Sequence, residues 1–210
     1  MISDNAGKPT IRDVRAALAR KSGEQPAVRE LRPAVFFDRD GTIIRDVGYI
    51  KSPDDVQLIP EAVNAIRRVN YALWPVVLVT NQSGIARGLV TQQDYEAVRL
   101  RLDDLLAERG VYVNAEYYCP HHPDFTGPCE CRKPGRLLFD KAMRENAINP
   151  GRSAFIGDRW RDVEPALHYG ARGVLVPYET TPSEEVEQAR SQLEVATTLN
   201  EAVLSVLAPR

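Results

Sequence analysis

Short strand-like runs of mostly apolar residues recur along the chain, and a segment with helical periodicity separates each run from the next. The runs cover residues 34–37, 76–79, 111–118, 153–156 and 173–176. A strand that is apolar on both sides must be covered on both faces of its sheet. Alternation of such strands with helices is typical of parallel βαβ units. The pattern therefore predicts an α/β fold with a doubly wound, Rossmann-like parallel sheet.

Apolar residues spaced three and four positions apart mark the segments between these runs as helices. We expect helices over residues 62–73, 91–110, 137–147 and 163–169. We expect the tail, residues 183–207, to be mostly helical. In a doubly wound sheet the ligand site lies beyond the carboxyl ends of the strands. The residues that follow each strand are therefore the first candidates for function.

The N-terminal segment, residues 1–32, differs from the remainder in charge. It holds seven Lys or Arg and four Asp or Glu, a local charge of +3. The whole chain of 210 residues carries −2, so residues 33–210 carry −5. We interpret residues 1–32 as an extension with one short helix and residues 33–210 as the folded domain.

The composition excludes several classes of protein. A domain of charge −5 without a basic stripe is not expected to bind nucleic acid. No run reaches the ~18 apolar residues of a membrane span, and no signal-peptide pattern opens the chain. We therefore expect a cytoplasmic protein that does not bind a membrane, and we expect it to be a monomer.

Polar side chains suited to phosphate chemistry follow three of the predicted strands. Asp38 and Asp40 follow the first, Thr80 ends the second, and Asp158 follows the fourth, with Lys133 in the preceding loop. Since residues two apart on an extended chain point to the same side, the first two carboxylates can face one cleft. Hard oxygen ligands of this kind suit Mg²⁺. With a hydroxyl and a lysine beside it, such a cation can neutralise a phosphoryl group during its transfer.

A further acid, Asp162, has two interpretations. It lies at the same predicted edge of the sheet, and it is also well placed to cap the helix that has Pro165 in its first turn. The sequence leaves both open.

A cluster of cysteine and histidine follows the third predicted strand. The chain has three cysteines, an odd number that cannot all pair within it. Cys119-x-His121 and Cys129-x-Cys131 form two pairs of potential ligands. Together they supply four ligands, the number that a tetrahedral structural Zn²⁺ takes. We expect zinc to fix this loop in front of the arginine–lysine pair that follows it. There are two alternatives. His122 is the imidazole ligand in place of His121, or the three cysteines are reduced and bind no metal.

The order of these motifs resembles the haloacid dehalogenase (HAD) superfamily of aspartyl-phosphate phosphatases. The resemblance extends over about residues 33–180. It rests on Asp-x-Asp-Gly-Thr, a strand-two Thr, a Lys and Gly-Asp-x-x-x-Asp, in that order. Longer strings at residues 38–42, 46–49, 80–88 and 118–123 are similar to the branch that hydrolyses heptose bisphosphates and to the related histidinol-phosphate phosphatases.

The resemblance implies a role for each matching residue. Asp38 is the expected nucleophile and Asp40 the general acid and base, while Thr80 and Lys133 hold the phosphoryl oxygens. Mg²⁺ is expected on Asp38, the backbone carbonyl of Asp40, and Asp158. The expected substrate contacts are Arg39, Asp46, Gly48, Tyr49, Asn81, Gln82, Ser83, Arg132 and Arg159.

The resemblance also implies a substrate, the 7-phosphate of D-glycero-D-manno-heptose 1,7-bisphosphate, with histidinol phosphate as the alternative. In either case the partner is a small phosphorylated metabolite. About forty residues separate the first aspartate pair from Thr80, which leaves no room for a large cap domain. The sequence departs from the family in a shorter loop after Pro134 and in Arg159, where a Lys is expected. A non-catalytic zinc-binding interaction module is the alternative of another class.

Overall fold

A computed structural model of the protein describes residues 30–209. The predicted N-terminal extension and its short helix, residues 1–32, lie outside the described residues except for the last three positions. The proposal that residues 1–32 form a separate extension therefore stays a prediction.

The described residues contain one sheet of six parallel strands in the order β3-β2-β1-β4-β5-β6. The strands, in chain order, are β1 (Val35–Phe37), β2 (Val76–Asn81), β3 (Ala115–Cys119), β4 (Ala154–Gly157), β5 (Arg172–Leu175) and β6 (Glu194–Val195). The predicted doubly wound parallel sheet is confirmed.

Nine α-helices lie among residues 30–209, with short 3₁₀ turns at Pro53–Asp55 and Pro150–Arg152. The helices are α1 (Ala62–Tyr71), α2 (Ser83–Ala86), α3 (Gln92–Ala107), α4 (Pro123–Thr126), α5 (Leu137–Asn146), α6 (Trp160–Val163), α7 (Pro165–Tyr169), α8 (Ser183–Gln192) and α9 (Leu199–Leu207). None of them is both long and apolar enough to cross a lipid bilayer.

The helices cover both faces of the sheet, as its apolar strands require. In β1 the side chains of Val35 and Phe37 belong to one buried cluster and that of Phe36 to another. Phe36 stacks on Phe155 of β4 with ring centroids 4.8 Å apart and meets the edge of Phe139 at 5.6 Å. Aromatic pairs of this kind add about 0.5–1.5 kcal/mol to the burial of the rings. The central strand is thereby anchored from both sides, and its carboxyl end is fixed.

One predicted strand begins later in the structure than in the prediction. The third strand begins at Ala115 and not at Val111, because Asn114 precedes it and closes a loop by exchanging hydrogen bonds of 2.8 Å with the backbone of Val76. The tail is mostly helical, as predicted, but it also contains a short strand. Helix α8 ends at Gln192, and β6 then pairs with β5 before α9 begins.

β2 and β3 are added to one side of β1, whereas β4, β5 and β6 are added to its other side. The order of the strands therefore reverses at β1. A ligand crevice opens at such a position in doubly wound sheets. Residues 38–75, between β1 and β2, form one 3₁₀ turn and α1, and no second domain is inserted among the described residues. The crevice is therefore open on that side, as predicted for a capless domain.

Candidate active site

Asp38 and Asp40 directly follow β1 and lie in the crevice. The Asp38 amide still donates to Ile156 of β4 at 3.0 Å, so Asp38 is held in line with the sheet. The backbone then turns at Gly41, which has φ +85°, a conformation that favours glycine. A Cβ at Gly41 would lie 2.9 Å from a carboxylate oxygen of Asp158. The glycine therefore lets the β1 turn approach the acid at the end of β4.

Lys133 is a buried cation at the centre of the site. Its ammonium lies 2.5 Å from Asp38 Oδ1, 2.7 Å from Asp162 Oδ1 and 2.6 Å from the backbone oxygen of Val79. Its backbone is fixed by Asn81, whose amide oxygen accepts from the Lys133 N–H at 3.0 Å. The lysine is thus oriented by three elements and is 3% exposed. A buried charge of this kind is stable only when it is paired in this way.

Three carboxylates converge beside the lysine. Ligand oxygens of Asp38, Asp158 and Asp162 all lie within 4.8 Å of one another, and all three residues are buried. Burial raises the pKa of Asp38 to about 7 and that of Asp158 to about 8, and neighbouring carboxylates add to both shifts. The single lysine therefore does not fully compensate the negative charge. A hard divalent cation fits this oxygen set.

Asp162 belongs to this cluster, and the predicted site did not include it. It caps a helix, but not the predicted one: its Oδ2 accepts from the Arg159 N–H at 3.0 Å at the start of α6, in which Asp162 itself lies. The helix with Pro165 in its first turn, α7, has Glu164 at its N-terminal cap position, so the predicted cap is not formed. The other oxygen of Asp162 faces Lys133. Gly157 permits this, because a Cβ there would lie 2.4 Å from the Cβ of Asp162. The Gly-Asp-x-x-x-Asp spacing was the signal that could have placed it in the site.

The carboxylate of Asp40 is held by hydrogen-bond donors on several sides. The Thr80 hydroxyl donates to Oδ2 at 3.2 Å and the Gln82 amide at 2.7 Å, while the Arg39 guanidinium pairs with both oxygens at 3.1–3.3 Å. Arg39 is 1% exposed. This burial is at odds with the expected substrate contact of Arg39 and favours a supporting position behind Asp40.

Residues 46–49 form a turn beside the crevice. The Gly48 N–H donates to Asp46 Oδ1 at 2.8 Å, and Gly48 has φ +87°. The turn leads to Tyr49, whose ring lies against Gly84 so closely that a Cβ on Gly84 would be 2.8 Å from it. Gly84 lies in α2, directly after Ser83. The structure thus brings together two of the predicted substrate-contact segments.

Arg132 and Arg159 are each fixed by another part of the chain. Arg132 donates to the backbone oxygen of His121 at 3.3 Å. Arg159 forms a two-point pair with Glu185 of α8, at 3.0 Å through Nε and 2.5 Å through a terminal nitrogen. Glu185 also accepts from the Trp160 N–H at 2.6 Å. Nothing local to the Arg159 motif predicted this partner.

The predicted cysteine–histidine cluster is assembled. The potential ligand atoms of Cys119, His121, Cys129 and Cys131 lie within 4.8 Å of one another. Five of the six separations run from 3.0 Å, between the sulfurs of Cys131 and Cys119, to 3.8 Å, between the Cys119 sulfur and His121 Nδ1. Four donors at such distances fit a tetrahedral zinc ion with bonds of about 2.0–2.3 Å.

The alternative ligand, His122, faces away from the cluster. Its Nε2 lies 2.9 Å from an Arg87 nitrogen, and its Nδ1 accepts from the Asp124 N–H at 3.3 Å. Arg87 also lies over the ring of Phe125 at 4.8 Å. The geometry therefore favours His121 as the imidazole of the cluster and gives His122 a separate role in attaching α4 to the segment after β2.

Comparison with known proteins agrees with this geometry. Residues 130–202 match the HAD-hydrolase-like family. A D-glycero-beta-D-manno-heptose-1,7-bisphosphate 7-phosphatase of Photorhabdus laumondii is 43% identical over 166 residues, which are 75% of this chain and 87% of the relative. The Yersinia pestis enzyme of the same name is 41% identical over 140 residues, covering 64% of this chain and 74% of the relative.

A solved structure agrees as well. The D,D-heptose 1,7-bisphosphate phosphatase of B. bronchiseptica, complexed with magnesium and phosphate, superposes with a TM-score of 0.74 at 31% identity. The match covers 83% of this chain and 98% of that one. The fold and the acidic edge of the sheet define a HAD-like hydrolase. More narrowly, the chain belongs to the D-glycero-D-manno-heptose-1,7-bisphosphate 7-phosphatase family.

Proposed function

We propose that the protein is a Mg²⁺-dependent phosphomonoester hydrolase that removes the 7-phosphate of D-glycero-D-manno-heptose 1,7-bisphosphate. The observation that carries this proposal is the convergence of Asp38, Lys133 and Asp158 at one edge of the sheet. The relatives named for this reaction support the choice of substrate.

In the proposed mechanism, a carboxylate oxygen of Asp38 attacks phosphorus and forms an aspartyl phosphate. The bond from phosphorus to the sugar oxygen breaks, and Asp40 gives that oxygen a proton. Asp40 then takes a proton from a water molecule, which attacks phosphorus, releases inorganic phosphate and restores Asp38. Covalent catalysis of this type divides one difficult displacement into two easier ones.

The phosphoryl oxygens are held by Thr80 and Lys133. The Thr80 hydroxyl, which donates to Asp40 in this structure, would turn to donate to the substrate, and the Lys133 ammonium neutralises charge where it develops. Mg²⁺ would be bound by Asp38, the backbone carbonyl of Asp40 and Asp158. When bound, it supplies positive charge beside the transferred phosphoryl group. We assign Asp162, which the sequence prediction omitted, to the orientation of Lys133.

Substrate recognition is assigned to the segments that surround the crevice. These are Asp46, Gly48, Tyr49, Asn81, Gln82, Ser83, Arg132 and Arg159, whereas Arg39 is removed from the contact set because it is buried. Zn²⁺ on the cysteine–histidine cluster has a structural role, since all four positions of a tetrahedral site are filled by protein ligands. A cytoplasmic location and a monomeric state remain predictions from the sequence.

A panel of phosphomonoesters with Mg²⁺ tests the proposed function. We expect the highest kcat/KM for the heptose bisphosphate and a lower value for histidinol phosphate. A higher value for histidinol phosphate would instead establish the alternative substrate. Asp38→Asn is the control, and it should abolish turnover while the melting temperature stays near that of the wild type. Turnover of Asp38→Asn at the wild-type rate would contradict the covalent mechanism.

A further inference from the structure

A chain of buried polar groups extends from Asp40 into the interior, away from the crevice. The Arg39 guanidinium pairs with Asp40 on one side, and its other terminal nitrogen lies 3.7 Å from Glu116 Oε1 on the other. The same Glu116 oxygen accepts from the Tyr95 hydroxyl at 2.7 Å. The side chains of Arg39 and Glu116 are 1% and 7% exposed. The chain connects the end of β1 to β3 and α3.

These groups lie on the opposite side of β1 from Asp38. Asp38 and Asp40 alternate with Arg39 along the extended chain, so the arginine leaves the strand on the other face. Its guanidinium lies 5.5 Å from the centroid of the Tyr95 ring. Tyr95 in turn packs against Tyr118, with ring centroids 4.1 Å apart. The aromatic pair leaves the arginine little room to move.

Charge balance explains why Glu116 is needed. A buried guanidinium with a single carboxylate partner would be costly. Glu116 compensates the charge from ion-pair distance and not through a hydrogen bond, because 3.7 Å is too long for one and this nitrogen of Arg39 has no hydrogen-bond partner among the described residues. Among the described residues, Asp40 and Glu116 are the two carboxylates within ion-pair distance of Arg39. Burial acts to lower the pKa of Arg39, but these two carboxylates raise it above its ordinary value. The guanidinium therefore stays charged between them.

We propose that Glu116 is a positioning residue for the general acid Asp40, and that it acts through Arg39. Glu116 and Tyr95 fix the arginine, and the arginine fixes the direction of the Asp40 carboxylate. Glu116 touches neither the substrate nor the reacting atoms. The inference rests on the proposed role of Asp40 as proton donor to the leaving oxygen.

The chemistry of the leaving group separates this role from a merely structural one. An alkoxide leaving group needs a proton, whereas nitrophenolate leaves without one. A misplaced general acid therefore slows hydrolysis of alkyl phosphates far more than that of nitrophenyl phosphate. Damage to the fold or to Asp38 lowers both rates in proportion.

The experiment measures kcat/KM of Glu116→Gln for a series of phosphomonoesters, from alkyl phosphates to nitrophenyl phosphate. Glutamine keeps an acceptor for the Tyr95 hydroxyl but removes the charge that balances Arg39. We expect a loss of at least ~10-fold on alkyl phosphates, part of the ~10²–10⁴-fold that general acid catalysis supplies. We expect less than about a threefold loss on nitrophenyl phosphate, because that step does not need the proton.

Tyr95→Phe is the second variant, and it removes the hydroxyl that holds Glu116. It should show the same dependence on the leaving group to a smaller degree. Tyr118→Phe is the matched control, because its hydroxyl contacts Gln92 and not Glu116. It should leave the dependence unchanged.

Two results would overturn the inference. In the first, the wild-type enzyme hydrolyses the series, but Glu116→Gln loses the same factor in kcat/KM on all esters or loses nothing. That result would contradict the positioning role of Glu116 and leave the proposed function standing. A wild-type protein that hydrolyses no phosphomonoester would contradict the proposed function and this inference with it. The thermal melting temperature of each variant shows whether the fold persists.

Discussion

At the scale of the single residue, Lys133 shows how this site keeps a charge in the interior. Desolvation opposes its ionisation, but the two carboxylates that face it raise its pKa above the ordinary value. The lysine is therefore charged at neutral pH. Its three N–H groups face Asp38, Asp162 and the Val79 oxygen, so in its proposed role one of these contacts is exchanged for a phosphoryl oxygen. The same contacts make it important for stability.

We expect Lys133→Met to lower kcat at least ~100-fold, the usual cost of removing one donor to a developing oxyanion. The free energy of unfolding in Mg²⁺-free buffer should fall by about 3–5 kcal/mol, because two buried carboxylates lose their partner. Steady-state kinetics and urea unfolding measure these effects. The control Lys141→Met, at an exposed position, should change neither. Retention of a tenth of the wild-type kcat would contradict the role of Lys133.

Gly41 supports a second prediction, because the same substitution can be made at a matched glycine. Gly41 and Gly88 both have positive φ, +85° and +68°, so alanine strains the backbone at both positions. Only at Gly41 does the new Cβ also meet Asp158. Gly88→Ala should lose about 1 kcal/mol of stability, and Gly41→Ala should lose more, because the contact with Asp158 adds to the backbone strain. Activity should fall strongly only in Gly41→Ala, and equal activities of the two would show that the close approach to Asp158 is unimportant.

At the scale of the element, the loop after β3 carries both the cysteine–histidine cluster and Lys133. Lys133 follows Cys131 by two positions, and Gly135 packs so tightly that a Cβ there would lie 2.3 Å from the backbone oxygen of Glu130. The loop contributes few buried apolar side chains of its own. A metal that fixes its cysteines therefore also fixes the position of the lysine.

Cys129→Ser tests this connection. We expect the purified variant to contain less than about half an equivalent of zinc, since one of four ligands is replaced by a poor one. The activity with saturating Mg²⁺ should fall with the zinc content, because Lys133 is no longer held. Atomic emission and steady-state kinetics follow the two quantities. A wild-type protein purified without zinc and fully active would refute the assignment.

Helix α8 supplies the other element-scale prediction. Its Glu185 holds Arg159 by two hydrogen bonds, and the pair is partly exposed, 24% and 20%. We expect Glu185→Gln to raise KM for the bisphosphate on the order of fivefold, the effect of roughly 1 kcal/mol for such a pair, with kcat unchanged. Glu187→Gln on the same helix, whose carboxylate pairs with Arg190 at the surface, is the control. A fall in kcat without a change in KM would argue against a binding role for Arg159.

At the scale of the whole molecule, the acidic cluster makes the stability of the metal-free protein depend on pH. The pKa values of Asp38 and Asp158 are raised to about 7 and about 8 by burial. The folded state therefore binds more protons than the unfolded state between pH 5 and pH 8. By linkage, the free energy of unfolding falls as the pH rises through this range.

We therefore expect the melting temperature in Mg²⁺-free buffer to decrease from pH 6 to pH 8.5. Mg²⁺ should raise it most at the alkaline end, where the carboxylates are ionised and bind the cation. Calorimetry at several pH values measures both trends. Asp158→Asn should reduce the slope. A melting temperature that rises with pH in the absence of Mg²⁺ would contradict the raised pKa values.

Local patterns predicted the main elements of the fold. The β1, β2, β4 and β5 runs are continuous and apolar, so burial on both faces followed from composition alone. The four residues of the cysteine–histidine cluster lie within thirteen positions of one another. The two-residue strand β6 was not predictable in this way. It is a strand because β5 offers it an edge to pair with, and a helical interpretation of its neighbours was equally consistent with the sequence.

The sequence by itself determined the class of sheet, the acids at the ends of its strands and the members of the cysteine–histidine cluster. These features depend on neighbours along the chain and on the rule that parallel strands end at one edge. Only the tertiary structure decided that Asp162 faces Lys133, that Glu116 balances Arg39 and that Glu185 holds Arg159. Each of these pairs joins distant segments, so its members meet only once the chain has folded. For Lys133 and Arg39, which are buried, the cost of a charge without a partner then makes the pairing necessary.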